Sequence, residues 1–217
     1  MKKDFNFIKW DKEGRQFKVT GKTNDSFLKS FINQDNFTMT TTQDIVNGLF
    51  PYIDLKLKEE QVLNSIERET CVKKILQDSI SKKTKTIPFV LNECEDKFHQ
   101  QIAKRIITEF NQIIYKYDVS KIETDFINIL EGECPFIGMI PFIFQTKYGD
   151  LIVDIRAGQT HFEERTTALC FLYEQLWINN TNSKVIKKII INPRWEKAVQ
   201  ELENPSKSIA WKLLNFC

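Results

Sequence analysis

The sequence of 217 residues has little of what several protein classes require. Its 7 glycines and 6 prolines exclude collagen-like and linker-rich architectures. Its two histidines, His99 and His161, leave little material for multi-histidine metal sites or for Ser-His and Cys-His catalysis. An excess of one charge is also missing, because 31 Lys and Arg residues face 29 Asp and Glu residues. The net charge of +2 argues against bulk-charge binding of nucleic acid but allows a local basic face.

Long hydrophobic runs and paired cysteine motifs are missing as well. The most apolar run, residues 135–144, is about half of the ~20 residues that span a bilayer, and the N-terminus lacks the apolar core of a secretory signal. The cysteines are scattered, odd in number and without a C-x-x-C motif, which predicts buried free thiols rather than disulfides, zinc or iron–sulfur sites. We therefore expect a soluble, cytoplasmic or otherwise intracellular protein that does not associate with membranes.

The residues that are present suit a folded chain with a helix-rich first half. Hydrophobic residues make up 41% of the sequence, which is enough for a core. Alternation and turn residues predict a β-hairpin over residues 5–20. Thr41, with Asp44 three residues later, predicts a capped helix start. Apolar spacing predicts helices over residues 24–33, 41–50 and 57–81.

The second half of the sequence mixes strands with helices. Residues 136–146 and 150–156 are rich in β-formers and are close enough to pair as an antiparallel hairpin. A helix after this hairpin leads to a strand over residues 184–192, and this succession predicts a parallel pair with a right-handed crossover. The remaining predicted elements are a strand or mixed segment over residues 121–130 and helices over residues 93–117, 161–178, 195–202 and 207–216.

Together these elements predict an α/β or α+β fold in which a small mixed β-sheet is flanked by helices. A basic loop over residues 81–86 is the candidate domain boundary, and it contains Lys82, Lys83 and Lys85. We predict an N-terminal hairpin plus helical region over residues 1–85 and an α/β core with C-terminal helices over residues 86–217. The loop itself is either a solvated linker or a phosphate contact.

Residues 137–158 resemble the core of a known family. They read Ile-Gly-Met-Ile-Pro-Phe-Ile-Phe on the first core strand and Gly-Asp-Leu-Ile-Val-Asp-Ile-Arg-Ala-Gly on the second. The order helix, hairpin, helix, strand over about residues 93–193 is similar to the PD-(D/E)XK nuclease superfamily, in particular its RecB and Cas4-like branch. That branch reads G-x-x-D on one strand and D/E-x-K-(T/A)-G on the next. The resemblance implies a nuclease-like core.

The resemblance also implies which residues stand at the active site. In that family two carboxylates at the ends of adjacent strands hold Mg²⁺, which prefers oxygen ligands and helps to make hydroxide from water. A lysine two residues after the second carboxylate lies on the same face of its strand. Asp154 matches the second carboxylate and Arg156 matches the lysine, whereas Pro141 replaces the first carboxylate. Because proline offers no ligand atom and arginine stays protonated, the site is degenerate, and magnesium is a cofactor only if activity survives.

Other residues could complete a metal site with Asp154. An active enzyme would need a relocated carboxylate from Glu109, Glu131 or Asp150. Asp150 lies on the same strand face as Asp154 but about 13 Å away by strand rise. The resemblance also assigns His99, on the preceding helix, to the metal site. The alternative is that His99 is a surface residue, or a histidine whose hydrogen bonds are made within the protein.

Three functions follow as hypotheses. We favour a catalytically inactive nuclease-fold subunit that binds DNA or RNA, or that scaffolds a nucleic-acid-processing complex with a protein partner. The alternatives are an active Mg-dependent DNA nuclease and a protein–protein interaction or inhibitor module with no nucleic-acid role. Binding would use phosphate contacts from cations near the cleft and in the basic loop, namely Arg156, Arg165, Lys187, Lys188, Arg194, Lys82, Lys83 and Lys85.

Overall fold

The fold is seen in a computed structural model, which describes residues 5, 7–11, 16–33, 36–51, 59–83, 85–91, 94–157 and 163–216. In chain order these residues form β1 (Ile8–Asp11), β2 (Gln16–Val19), α1 (Ser26–Lys29), β3 (Ile32–Asn33), β4 (Asn36–Phe37), α2 (Thr42–Leu49), α3 (Glu59–Ser81), α4 (Lys97–Tyr117), β5 (Lys121–Leu130), β6 (Phe136–Thr146), β7 (Gly149–Ile155), α5 (Glu163–Thr181), β8 (Val185–Ile191), β9 (Val199–Glu201) and α6 (Lys207–Leu214).

A mixed sheet forms the centre of the second half. Among the described residues it has five strands, in the order β5-β6-β7-β8-β9. The strands β5, β6 and β7 are antiparallel neighbours, β7 and β8 are parallel, and β9 is antiparallel to β8. The predicted hairpin and the predicted parallel pair are therefore confirmed, with α5 as the crossover helix. The start that was predicted for this helix at His161 lies outside the described residues.

Helices cover both faces of this sheet because its strand residues alternate between two apolar clusters. Leu151 and Val153 of β7 face α3 and α4. Ile152, between them, faces the other side, where α2, α5 and α6 pack. The arrangement is three-layered, and it confirms the predicted class of a mixed sheet flanked by helices.

A second, smaller sheet covers one end of β5 and β6. Its strands follow the order β1-β2-β4-β3, and its apolar side chains pack against Ile129 and Ile137.

The helix α2 begins at the predicted cap. The Thr41 hydroxyl accepts the Asp44 N–H at 3.0 Å, and the Asp44 carboxylate accepts the Thr41 N–H at 3.0 Å. This reciprocal capping box satisfies two N–H groups at the helix start.

Of two incorrect helix predictions, the one over residues 24–33 is wrong in part and the one over residues 195–202 is wrong in full. The helix predicted over residues 24–33 ends at Lys29, because the following residues pair with β4 as strand β3. The helix predicted over residues 195–202 is replaced by turns and by β9, which pairs with β8 at the edge of the sheet. Both short strands form because an open strand edge offers N–H and C=O partners that local sequence patterns do not reveal.

The long helices α3 and α4 pack against each other and share one apolar cluster with the sheet. Val72, Ile75 and Leu76 of α3 belong to this cluster, so α3 shares a core with elements beyond the basic loop. The division of the chain at residue 85 stays a prediction. In the described part of the chain, no helix is both long and apolar enough to cross a membrane.

Candidate functional site

Strands β6 and β7 separate at Pro141, beside the end of β7. Their paired register stops at Phe142 and Val153, so the next residues in register are Pro141 and Asp154. Proline has no N–H to donate to a neighbouring strand, which explains why the ladder ends there. The strand β7 continues along β8, with Asp154 opposite Ile190. The opening leaves Asp154 at the carboxyl end of a parallel strand pair, the edge at which ligands bind in many α/β sheets.

Asp154 and Arg156 form an ion pair at this edge. Nη2 of Arg156 lies 2.8 Å from Oδ2 of Asp154, and their side chains are 38% and 9% exposed. The negative charge of Asp154 raises the pKa of Arg156. Among the described residues, neither Oδ2 of Asp154 nor Nε of Arg156 has a hydrogen-bond partner of good geometry. Arg156 therefore keeps its charge, and its side chain is partly exposed although its Nε atom is buried.

Two buried side chains of α5 form the wall behind this ion pair. Burial, followed by the negative charge of Asp154, raises the pKa of Tyr173 and the pKa of Cys170. Cys170 is a buried free cysteine, as the sequence analysis predicted for the cysteines in general. Both groups stay protonated at neutral pH, so neither supplies a general base next to Asp154.

Asp150 lies on the same face of β7 as Asp154 but has its own partner. Its Oδ2 accepts a hydrogen bond of 2.7 Å from Nε1 of Trp177, and both residues are buried. A buried carboxylate needs such a donor, because an unpaired one would carry a large desolvation penalty. Asp150 is therefore a structural residue of the β7–α5 contact and not a relocated metal ligand.

Removing this hydrogen bond gives a measurable prediction. We expect Trp177→Phe to lower the free energy of unfolding by about 2–3 kcal/mol, because Asp150 loses a donor while the ring contact with Phe126 is retained. Urea denaturation followed by circular dichroism measures the change. The matched control is Trp211→Phe at a side chain that is 66% exposed, with an expected effect within about 0.5 kcal/mol. Equal effects of the two variants would contradict the role given to Trp177.

Two further arginines lie near this edge. The guanidinium of Arg194, just after β8, lies 5.8 Å from the centre of the Phe98 ring in the first turn of α4. The pKa of Arg68 on α3 is lowered by burial and then by the positive charge of Arg194. We call Arg68, Arg156 and Arg194 the arginine edge. The sequence analysis found Arg156 and Arg194 but missed Arg68, which comes from a helix outside the family resemblance.

Glu69, the neighbour of Arg68, was also missed. Its negative charge contributes to the raised pKa of Arg156 and of Tyr173, which places it within electrostatic range of the Asp154 ion pair. Neither Arg68 nor Glu69 belongs to a recognisable motif. Only the packing of α3 against α4 brings them to this position.

Three of the cations that were predicted as phosphate contacts are bonded to protein oxygens instead, namely Arg165, Lys188 and Lys187. The guanidinium of the buried Arg165 donates to the Phe50 carbonyl and, at 2.6 Å, to Oδ1 of Asn47, which joins α5 to α2. The buried Lys188 lies 2.6 Å from Oε2 of Glu174 and also contacts Oδ1 of Asn204. The exposed Lys187 lies 2.5 Å from Oε2 of Glu201. Because Arg165 and Lys188 are buried and bonded, we do not include them in a nucleic-acid surface.

The basic loop lies far from the arginine edge. Lys82 and Lys85 are exposed, and Nζ of Lys83 donates to the Val119 carbonyl at 3.4 Å, while burial lowers the pKa of Lys83. Val119 follows the last turn of α4, whereas Arg194 contacts its first turn. A helix of this length separates the two positions by about 30 Å. The structure therefore does not bring the loop lysines and the arginine edge into one site.

Among the described residues, the positions that match the family motif and the substitutes predicted for them do not form a Mg²⁺ site with Asp154. Pro141 supplies no ligand atom, and Asp154 is already paired with Arg156. Asp125, opposite Pro141 on β5, lies 2.7 Å from Nζ of Lys73 and accepts a hydrogen bond from Gln77, so it faces α3. Of the other predicted substitutes, Glu109 lines an open groove beside β9. Glu131 follows the end of β5 and is exposed.

His99 lies in a different group of side chains. It is buried on α4, and its donor atom lies within 4.8 Å of those of Cys71 and Cys94. Among the described residues, Cys71, Cys94 and His99 form a group of potential metal ligands, and Asp154 does not belong to this group. The prediction of free thiols is wrong for Cys71 and Cys94, which form a disulfide, and for Cys134, which is also disulfide-bonded. The packing of α3 against the start of α4 brings them together although they are 23 residues apart in sequence.

No family model matches the chain, and no curated protein matches it either. Two solved structures with weak similarity are 12% identical to it. The protein SSO0001 covers 69% of this chain and 84% of its own length, with a TM-score of 0.33. A "putative exonuclease" from Eubacterium rectale covers 78% of this chain and 67% of its own length, with a TM-score of 0.41.

Proposed function

We propose that this chain is a catalytically inactive PD-(D/E)XK-like subunit that binds nucleic acid at the arginine edge. The observation that carries the proposal is the Asp154–Arg156 ion pair, in which a guanidinium lies 2.8 Å from the single carboxylate of the family pattern. The cation neutralises the charge that would attract a metal ion. The element order α4, β5–β7, α5, β8 agrees with the nuclease-like core that the sequence analysis expected.

Arg156 suits a phosphate contact for two reasons. Its side chain is 38% exposed, and the negative charge of Asp154 raises its pKa, so that it stays a cation. Asp154 holds the guanidinium in one position, which reduces the conformational entropy lost when a phosphate binds. Arginine presents paired donors that match two phosphate oxygens. Arg194 and Arg68 add positive charge on the same edge.

Catalysis is disfavoured because the positions that match the family motif offer one carboxylate and no lysine. Hydrolysis in this family needs a metal held by two carboxylates and a water that is activated near it. Asp154 is one carboxylate, Pro141 is not a second one, and Arg156 does not exchange a proton near neutral pH. An inactive subunit of this kind acts within a complex, so we also propose a protein partner.

Binding is tested with labelled single-stranded and double-stranded DNA and RNA at several salt concentrations. We expect Arg156→Gln to weaken binding and to reduce the slope of log affinity against log salt by about 1, because one phosphate contact is lost. The matched control is Lys147→Gln, which removes one positive charge at the opposite end of β7, where Lys147 pairs with Asp118. We expect the control to leave the slope unchanged.

Three results would contradict the proposal. If Arg156→Gln and Lys147→Gln behave alike, the arginine edge is not the binding surface. If none of the four nucleic acids binds, a protein interaction or inhibitor module is the better interpretation. If the wild type cleaves nucleic acid with Mg²⁺ or Mn²⁺ and Asp154→Ala abolishes cleavage, the chain is an active nuclease.

An active nuclease is the second candidate function, because the negative charge of Glu69 on α3 acts on Arg156 of the Asp154 ion pair. A carboxylate from this helix could replace the one that is missing at Pro141 if Arg156 moved aside. This alternative predicts that Glu69→Gln and Asp154→Asn each abolish metal-dependent cleavage, whereas Glu67→Gln on the exposed face of α3 does not. The inactive subunit predicts no cleavage in any of these proteins.

A further inference from the structure

We propose that Cys71, Cys94 and His99 bind a Zn²⁺ ion when the two thiols are reduced. Their three donor atoms lie within 4.8 Å of one another. Cys71 is on α3, Cys94 precedes the N-cap of α4, and His99 is in the first turn of α4. The two cysteines are half-buried and His99 is buried, so the site is partly shielded from water. This site does not depend on nucleic-acid binding at the arginine edge.

The ligand types select the metal. Zn²⁺ is bound by cysteine thiolates and histidine nitrogens, whereas Mg²⁺ and Ca²⁺ require oxygen ligands. In a tetrahedral zinc site the donor atoms are about 3.5–3.8 Å apart, given bonds of about 2.3 Å to sulfur and 2.0 Å to nitrogen. The two sulfurs are bonded to each other in the structure, so they must move apart on reduction to reach this geometry. The separations between sulfur and the histidine nitrogen, at most 4.8 Å, need only a small contraction. Three protein ligands leave the fourth position to water or to a further ligand.

The surrounding hydrogen bonds hold two of the ligands in place. Oδ1 of Asp96 accepts the N–H groups of Phe98 and His99, which caps α4, and Oδ2 lies 3.9 Å from Nδ1 of His99. This carboxylate adds negative charge beside the imidazole, which favours a cation bound to the ring. The side chain of Gln100 donates to the Cys94 carbonyl at 2.7 Å. The start of α4 is therefore ordered around the site without a metal.

The disulfide and the metal site are alternative states of the same two sulfurs. Cys71 and Cys94 form a disulfide in the structure, and in this state neither sulfur is a thiolate. A phosphine reductant and one water convert the disulfide into two thiols and one phosphine oxide. Zn²⁺ then displaces the two thiol protons. In the reverse direction a peroxide takes two electrons from the thiolates, is reduced to water with two protons, and the disulfide releases Zn²⁺.

The test uses the full chain, reduced with a phosphine, loaded with Zn²⁺ and freed of excess metal. We expect one tightly bound zinc per chain by elemental analysis and none in Cys71→Ser or Cys94→Ser. His99→Leu is expected to lose the zinc, and His99→Cys to retain it, because cysteine restores a ligand. Cys170→Ala is the matched control, since this buried cysteine is outside the group, and it should keep one zinc.

Two further measurements keep the test independent of folding. Co²⁺ in place of Zn²⁺ should give a thiolate charge-transfer band in the wild type and not in Cys71→Ser. Asp96→Asn can still cap α4 and is expected to weaken zinc binding about 10-fold. The proposal is overturned if the reduced wild type binds no more zinc than the serine variants. It is equally overturned if the cobalt spectrum lacks the thiolate band, or if peroxide forms the disulfide without releasing zinc.

Discussion

Lys188→Met is expected to lower the free energy of unfolding by about 3–5 kcal/mol, which is one of the two largest effects that we predict. Nζ of Lys188 lies 2.6 Å from Oε2 of Glu174, and the two side chains are only 6% and 13% exposed. Removing the lysine leaves the Glu174 carboxylate with an uncompensated charge in a poorly hydrated position. Guanidinium denaturation followed by circular dichroism measures the change.

The neighbouring Lys187 provides the matched control for this prediction. Adjacent strand residues point to opposite faces of a sheet, so Lys187 lies on the α4 side, where it pairs with Glu201. Both side chains of this pair are 43% exposed, and we expect Lys187→Met to have a much smaller effect than Lys188→Met, because water screens an exposed ion pair. The double variant Lys188→Met/Glu174→Leu should recover much of the lost stability. Equal effects of the two lysine variants would show that Lys188 is not part of a buried pair.

Phe110→Ala is expected to cost a similar amount, about 3–5 kcal/mol. Phe110 on α4 has no exposed surface, and its ring meets the rings of Phe142 and Phe144 edge-on at centroid distances of 5.2 and 5.0 Å. The substitution removes the ring and leaves a cavity between α4 and the central sheet. Urea denaturation measures the loss of stability directly.

Tyr115, on the same helix, provides the comparison for Phe110. Its side chain is 92% exposed, so we expect Tyr115→Ala to change the free energy of unfolding by about 0.5 kcal/mol or less. If Phe110→Ala were tolerated as well as Tyr115→Ala, α4 would not pack on the sheet as the structure shows. The two variants share one helix and one introduced residue, and both remove an aromatic ring, so the difference between them mainly reports burial.

The predictions from sequence succeeded where the pattern along one element decides its structure. The apolar period of β6, β7 and β8 and the stripe of α4 identified the central sheet and its covering helix. The capping box at Thr41 located the start of α2 to the residue. In these segments, burial of one face imposes a period that can be seen without knowing the partner.

The failures share one physical cause, which is that the partner lies far away in the sequence. The strand β9 has three residues and no pattern of its own, and it forms because the edge of β8 offers hydrogen bonds. The disulfide between Cys71 and Cys94 depends on the packing of α3 against the start of α4. For the same reason a lysine on β8 could not be assigned to the buried or the exposed side from its residue type alone.

The sequence was sufficient to predict the class of fold and to place Asp154 at the end of a core strand, with Pro141 on the strand before it. Those features are local, because they follow from residue identity and strand period. Only the tertiary structure shows that Arg156 neutralises Asp154, that the charge of Glu69 acts on Arg156, that the charge of Arg194 acts on Arg68, and that His99 lies with two cysteines. These are contacts between separate elements, and their geometry is set by the packing of α3 and α4 on the sheet.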